Sequence, residues 1–357
     1  MRSIPVGVII AFATTIAVAA PLPRFPPNAV WHRNISAAPL HTNSQAMIDR
    51  VIQLGGWGNG NKFQIDFSIL VNYAAAGVAT KPTIAWPSAD DYYAPDCSAP
   101  GLAFPLPPGG AIEGSAGYTC DHENEDCHLI VAQGSKLYEA YVANVTTAGV
   151  ETQCALVWDL NKVYPPEGRG EQCTSVDAAG FPVAPLLFSA DEVYQASLVA
   201  DSDLGHAIRF VLPTANRPAQ GILARVAAGV YVHPGTHAGG PQGPADAIPY
   251  AARLRLKSNF NMDNYNAAAK VLLRTMQRYG IVLSDGGNIA LTGEDDRFNT
   301  HKWADLGITA QVFNPGVGNP AVQVSDFDVL QTGSQIGLTY DCVPVPADFI
   351  YIDHFQY

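Results

Sequence analysis

The sequence is short of charge. Only 15% of its 357 residues are Asp, Glu, Lys or Arg, and just 20 are Lys or Arg. The net charge is −12, which argues against nucleic acid or an anionic membrane surface as the main partner, because both are bound through dense cationic patches. Beyond the N-terminal segment no apolar run reaches the roughly 20 residues that a membrane-spanning helix needs. Neither C-x-x-C nor H-E-x-x-H spacing occurs, so the common zinc motifs are absent. There is also no G-x-S-x-G elbow, Walker A loop or dinucleotide fingerprint. No cofactor and no metal are expected, and no repeat of solenoid or propeller period is present.

What is present points outward from the cell. Arg2 precedes a nearly continuous apolar stretch, Ile4 to Val18, and Ala17-Val18-Ala19 has the small-x-small form of a cleavage site. Residues 1–19 therefore read as a signal peptide. Residues 20–40, rich in proline, read as an extended arm, and 41–357 as the folded domain. The six cysteines, Cys97, Cys120, Cys127, Cys154, Cys173 and Cys342, form an even set that suits disulfides in an exported chain. Cys120 and Cys127 are the closest pair; the full pairing stays open. Asn34-Ile35-Ser36 and Asn144-Val145-Thr146 are glycosylation sequons, relevant in a eukaryotic host.

The fold expected is mainly β, a β-sandwich or jelly-roll-like single domain with one or two short covering helices. From Lys62 to Tyr73, apolar residues alternate with polar ones except at Leu70, the period of a half-buried strand. Further short strands separated by turn signals follow at 127–133, 136–142, 154–160, 206–212, 230–233, 252–257, 280–285 and 289–292. Helices are expected at 44–54 and 263–279, the second ending at Gly280. The Pro-, Gly- and Asp-rich stretch 86–112 is a long loop, a class that is often functional.

The segment 126–142 carries the most chemistry. Gly134-Ser135 reads as a two-residue hairpin turn, which sets Ile130 opposite Glu139 and His128 opposite Tyr141. One face then holds Cys127, Leu129, Val131, Tyr138, Ala140 and Val142, a core face. The other gathers Asp126, His128, Glu139 and Tyr141 on a mostly wet patch, diluted by Ile130 and Leu137. Such groups can act as acid and base when their surroundings move their pKa values apart. An ordinary polar outer sheet face would give the same pattern.

Other candidates are more scattered. Arg253, Arg255 and Lys257 share one strand face and can bind carboxylates of an acidic glycan, or neutralise the protein's own acids. Trp57, in a Gly-rich loop, can stack on a sugar ring. His206 lies on a strand opposite in facing to Arg209, and Asp285 and Glu294 are carboxylates at turns. The acidic run 121–126 and the pair His233 and His237 lack the spacing of known calcium or zinc motifs.

Several segments resemble a group of uncharacterised secreted bacterial and actinobacterial β-rich proteins. They are Asp126-Cys127-His128-Leu129-Ile130-Val131, Lys136-Leu137-Tyr138-Glu139, Ser175 to Pro182, Gly205-His206-Ala207-Ile208, Arg253-Leu254-Arg255-Leu256 and Tyr279-Gly280-Ile281-Val282. The same order holds over roughly two thirds of the chain. The resemblance implies one β-rich secreted unit from about residue 28 onward and brings no activity with it. It directs attention to Asp126, His128, Glu139 and His206. The Cys120–Cys127 insertion and the tail after Val329 depart from the group.

Together these features lead to a secreted, monomeric carbohydrate-active enzyme. It would hydrolyse an extracellular polysaccharide or cell-wall glycan through Asp126, His128 and Glu139, with Tyr141, His206 and Asp285 as further catalytic candidates. Arg253, Arg255, Lys257 and Trp57 would bind substrate. The alternatives are a lyase on an acidic glycan, using His128 or Tyr141 as base and the arginines as carboxylate clamps, and a carbohydrate-binding or cell-wall protein without catalysis.

Overall fold

A computed structural model describes residues 21–221, 223–240, 243–314 and 320–345; the signal segment lies outside them. The chain is mostly β, with several sheets and few short helices. The largest sheet has six strands, in the spatial order Ile65–Ile69, Leu291–Glu294, Ile208–Leu212, Ile281–Gly286, Arg253–Leu256 and Phe327–Val329. A second, of four strands, runs Val71–Tyr73, Leu129–Gln133, Lys136–Tyr141 and Cys154–Asp159. A third, also of four, joins Ala103–Pro105, Thr80–Ala85, Val150–Thr152 and Asn144–Val145.

The strand expected over 62–73 is in fact two. Ile65–Ile69 pairs in parallel with Leu291–Glu294, while Val71–Tyr73 pairs in parallel with Leu129–Gln133 in a different sheet. Leu70, the one break in the alternation, is buried between them. The chain changes sheets there, so both sides of that residue face protein. Parallel pairs also join Ile208–Leu212 to Ile281–Gly286 and Thr80–Ala85 to Val150–Thr152. A jelly roll is built from antiparallel pairs, so the observed sheets are mixed where the strand pattern had predicted that simpler plan. Parallel pairing needs long crossovers, and strand-by-strand periodicity does not reveal them.

The hairpin forms in the expected register, with Gln133 opposite Lys136, Ile130 opposite Glu139 and Leu129 opposite Ala140. Gly134 takes φ +58°, the positive value such a turn favours. Leu129, Val131, Ala140 and Ala155 pack with Phe104 and Val150 of the third sheet and with the Cys120–Cys127 disulfide in a small core. Ile130, Leu137 and Leu156 belong instead to the main core. Both faces of the hairpin are therefore covered.

Helix Ala267–Arg278 starts later than the pattern implied, because the Asn266 side chain caps it by accepting the Ala269 N–H at 2.8 Å. Gly280 sits beyond its end at φ +73° as expected. This helix packs on strand Arg253–Leu256 and on a short unforeseen helix, Ala190–Ser197. All six cysteines pair, as Cys97–Cys154, Cys120–Cys127 and Cys173–Cys342. Among the described residues no helix is long and apolar enough to cross a membrane.

The N-terminal arm is largely irregular, as expected, but it is part of the packing. Leu22, Phe25, Ala29, Trp31 and Ile35 are buried. The arm also accounts for the cationic row, whose assignment to substrate needs correction. Arg253 donates to the Val30, Arg33 and Tyr279 carbonyls. Arg255 Nη1 donates to the Ile35, Ser36 and Ala38 carbonyls at 2.8, 2.8 and 3.0 Å. Lys257 donates to the Ser325 carbonyl and lies 3.9 Å from Asp328. These side chains satisfy backbone oxygens that have no strand partner, so they hold the arm and the neighbouring turn in place.

Candidate active site

The cleft with the most convergent chemistry has a volume of about 590 Å³ and lies where several elements end together. Strand Ile281–Gly286 brings Asp285, and the hairpin brings Asp126 and Tyr141. The irregular run after Cys173 brings Asp177. The expected loop 86–112 is interrupted by strand Ala103–Pro105, and its part before that strand contributes Tyr93 and Asp96. His237 follows the cis His233–Pro234 turn, and Tyr250 ends strand Ile248–Tyr250. Tyr340, two residues before the Cys173–Cys342 disulfide, closes one rim.

Asp285 is the electrostatic centre. Its two oxygens accept the Gly286 N–H at 2.7 Å and the Ala178 N–H at 3.2 Å. Behind it, the buried guanidinium of Arg209 donates to Asp177 at 2.9 Å and to Thr292 at 3.0 Å, and lies 3.9 Å from Asp285. One cation thus serves two carboxylates. Burial, and then the Asp177 charge, push the Asp285 carboxyl well above the usual carboxylate range, with Arg209 pulling the other way. Asp177 is pushed up by burial too. Two acids that share one guanidinium are poised for one of them to hold a proton near neutrality.

Asp126 is exposed, and its carboxylate accepts the Tyr141 hydroxyl at 3.4 Å. Burial and the Asp126 charge push the Tyr141 phenol up, so it stays protonated. His237 Nδ1 lies 3.1 Å from the Ala178 carbonyl. A carbonyl only accepts, so Nδ1 carries the hydrogen and Nε2 is the ring's acceptor. Burial lowers the His237 pKa, which keeps the ring neutral. Gly239 permits the Tyr250 ring to approach, since a Cβ there would sit 2.8 Å from its hydroxyl.

His128 and Glu139 do share one face of the hairpin, but that face is not wet, and neither reaches the cleft. His128 Nδ1 donates to Glu113 at 2.7 Å, and Nε2 donates to the Val176 carbonyl at 3.0 Å. Both partners only accept, so the ring is an imidazolium with both protons committed. Burial opposes that charge, yet the Glu113 carboxylate lifts His128 to about 9. Glu113, in turn, is drawn against burial to about 2 by His128. His128 is therefore a post beneath the 175–178 segment rather than a base. Glu139 is fully buried and accepts from Trp158 Nε1, Val183 N and Ala184 N; burial raises it to about 7 against those three donors. It anchors the chain that covers the hairpin.

Two further candidates also lie elsewhere. His206 is buried 3.4 Å from Glu192, which Arg24 of the arm grips through both carboxylate oxygens; its place is the arm's anchor. Trp57 is wholly buried, against Phe63, Phe210 and Phe327, so no sugar can reach its face. Residue type alone had not separated a loop tryptophan from a core one. Sequence pattern alone does not mark Asp96, Asp177, Tyr93, Tyr250 or Tyr340, and it offers His237 only as a possible metal ligand. The signals available were the length of loop 86–112, which carries Tyr93 and Asp96, and the Ser175–Pro182 segment, which carries Asp177.

Comparison with protein-family models, with curated proteins and with solved structures finds no match for the chain.

Proposed function

We propose that this protein is a secreted hydrolase that cleaves an extracellular polysaccharide in the cleft beside Asp285. The observation that carries the reading is a 590 Å³ cleft in which carboxyl groups of unlike environment face phenol rings. Glycoside hydrolysis needs one carboxyl that holds its proton and one that does not. Asp285, raised by burial and by Asp177, gives its proton to the departing glycosidic oxygen. Asp126, exposed, takes a proton from the water whose oxygen bonds to the anomeric carbon. His237 Nε2 accepts a hydrogen bond from a sugar hydroxyl, and the tyrosine rings offer flat apolar faces to the pyranose.

Three disulfides support export to an oxidising compartment. Of the two sequon asparagines, Asn34 is exposed and Asn144 half-buried; both are proposed glycan sites in a eukaryotic host. The lyase alternative has lost its carboxylate clamp, because Arg253 and Arg255 bind the arm and no Lys or Arg lines the cleft among the described residues.

The test is a screen of the purified protein against plant and microbial glycans, read as new reducing ends. Asp285→Asn and Asp126→Asn should each lower the rate by about 10²–10⁴. Wild-type rates in both variants refute the assignment, and retention on a glycan without cleavage favours the binding protein.

A further inference from the structure

We infer that the cleft selects a glycan whose sugars carry free, protonated amines, such as a glucosamine polymer. This rests on the reading of the cleft as a glycan site and concerns which glycan enters it. The ionisable lining is almost wholly acidic: Asp96, Asp126, Asp177 and Asp285, with His237 as the one nitrogen base among the described residues. The Arg209 guanidinium is buried behind the wall and already bound to Asp177, and buried Arg169 acts on Asp96 only from beyond 4.0 Å. Neither Asp96 nor Asp126 has a cation within 4.0 Å among the described residues. Asp96 is nonetheless held in place, because one of its oxygens accepts the Thr174 N–H at 2.7 Å.

A second observation points to a ligand independently of charge. Tyr250 is 1% exposed and lines the cleft, yet its hydroxyl has no hydrogen-bond partner among the described residues. A hydroxyl without a protein partner at the wall of a cleft takes its hydrogen bond from whatever fills that cleft. Aromatic faces complete the arrangement. The Tyr93 and Tyr141 rings lie 6.4 Å apart and 28° from parallel, and Tyr340 stands 70% exposed at the rim. Such faces accept pyranose C–H groups and attract ammonium groups alike. A uronate would meet the like charges of the Asp96 and Asp126 carboxylates. A neutral sugar would leave the Asp96 and Asp126 carboxylates with no cation within 4.0 Å among the described residues.

The experiment separates binding from cleavage by using Asp285→Asn, full-length and disulfide-bonded. Glucosamine hexasaccharide, its fully N-acetylated counterpart and a neutral β-glucan hexasaccharide are titrated by calorimetry at pH about 5.5, below the range of α-amino groups. The amine-bearing ligand should bind about tenfold more tightly than the acetylated one, and rising salt should erode the difference. Adding Asp96→Asn should reduce the preference about fivefold. Equal or weaker binding of the amine-bearing ligand overturns the inference, as does a preference insensitive to both salt and Asp96→Asn. Wild-type protein that cleaves neutral or acetylated glycan without preference sinks the inference and leaves the hydrolase standing. Tight, salt-sensitive binding of the amine-bearing ligand without cleavage does the reverse.

Discussion

Replacing Glu113 with Gln tests whether His128 is a structural cation. The substitution keeps a polar group near His128 and Ser68, which contact the two oxygens at 2.7 and 2.9 Å, and removes only the charge. In the folded protein His128 is lifted from an ordinary value of 6.5 to about 9. A difference of that size corresponds to about 3 kcal/mol. Its folded pKa is above the unfolded one, so the contribution is fully present below pH 6.5, fades as pH rises toward 9, and is gone beyond it. Glu113, lowered from 4.5 to about 2, gives the acid limb of the same interaction, lost as pH falls from 4.5 to 2; the two are not additive. Glu113→Gln should therefore lose about 3 kcal/mol at pH 6, roughly 4 °C in Tm for a chain of this size. The gap between variant and wild type should narrow steadily up to pH 9.5. Urea melts and calorimetry across that range read it directly. A loss under about 1 kcal/mol at pH 6, or a gap that does not change with pH, refutes the buried ion pair and reopens His128 as a neutral base.

The pH–rate profile of the hydrolase should fall on its alkaline side as Asp285 loses the proton it must donate, and Asp285→Asn should remove that limb together with most of the rate. Arg255→Ala should release the arm at Ile35 to Ala38, making it protease-sensitive and costing about 2 kcal/mol. KM for glycan should be unchanged; a raised KM would restore Arg255 as a binding residue. Disulfide removal should scale with loop length. Serines at Cys120 and Cys127, seven residues apart, should cost roughly 2 kcal/mol, and serines at Cys173 and Cys342, 169 apart, roughly 5. Equal losses by denaturant melts would contradict that ordering.

Much of the local structure was legible. The Gly134-Ser135 turn set the hairpin register correctly, because a two-residue loop leaves little choice of pairing. The helix ending at Gly280 followed from its apolar stripe and that glycine. What misled was the meaning of the polar residues on the hairpin face. Alternation shows which side chains share a face, and His128 with Glu139 did. It does not show whether that face meets water or a second layer of protein that supplies hydrogen bonds. Here the layer is chain from 176 to 184. The cationic row failed in the same way, since its partners are backbone carbonyls some 220 residues away.

The sequence by itself determined the elements that depend on near neighbours: the hairpin and its register, the two longer helices and an even set of cysteines. Only the tertiary structure decided which acids are neighbours. Asp285 owes its raised pKa first to burial and then to the charge of Asp177, more than a hundred residues earlier in the chain, and Arg209 lies behind both. The physical reason is that burial and charge act through space. The cleft exists because strand ends, loops and a disulfide-tethered tail converge from separate parts of the chain, and no local pattern of residues encodes that convergence.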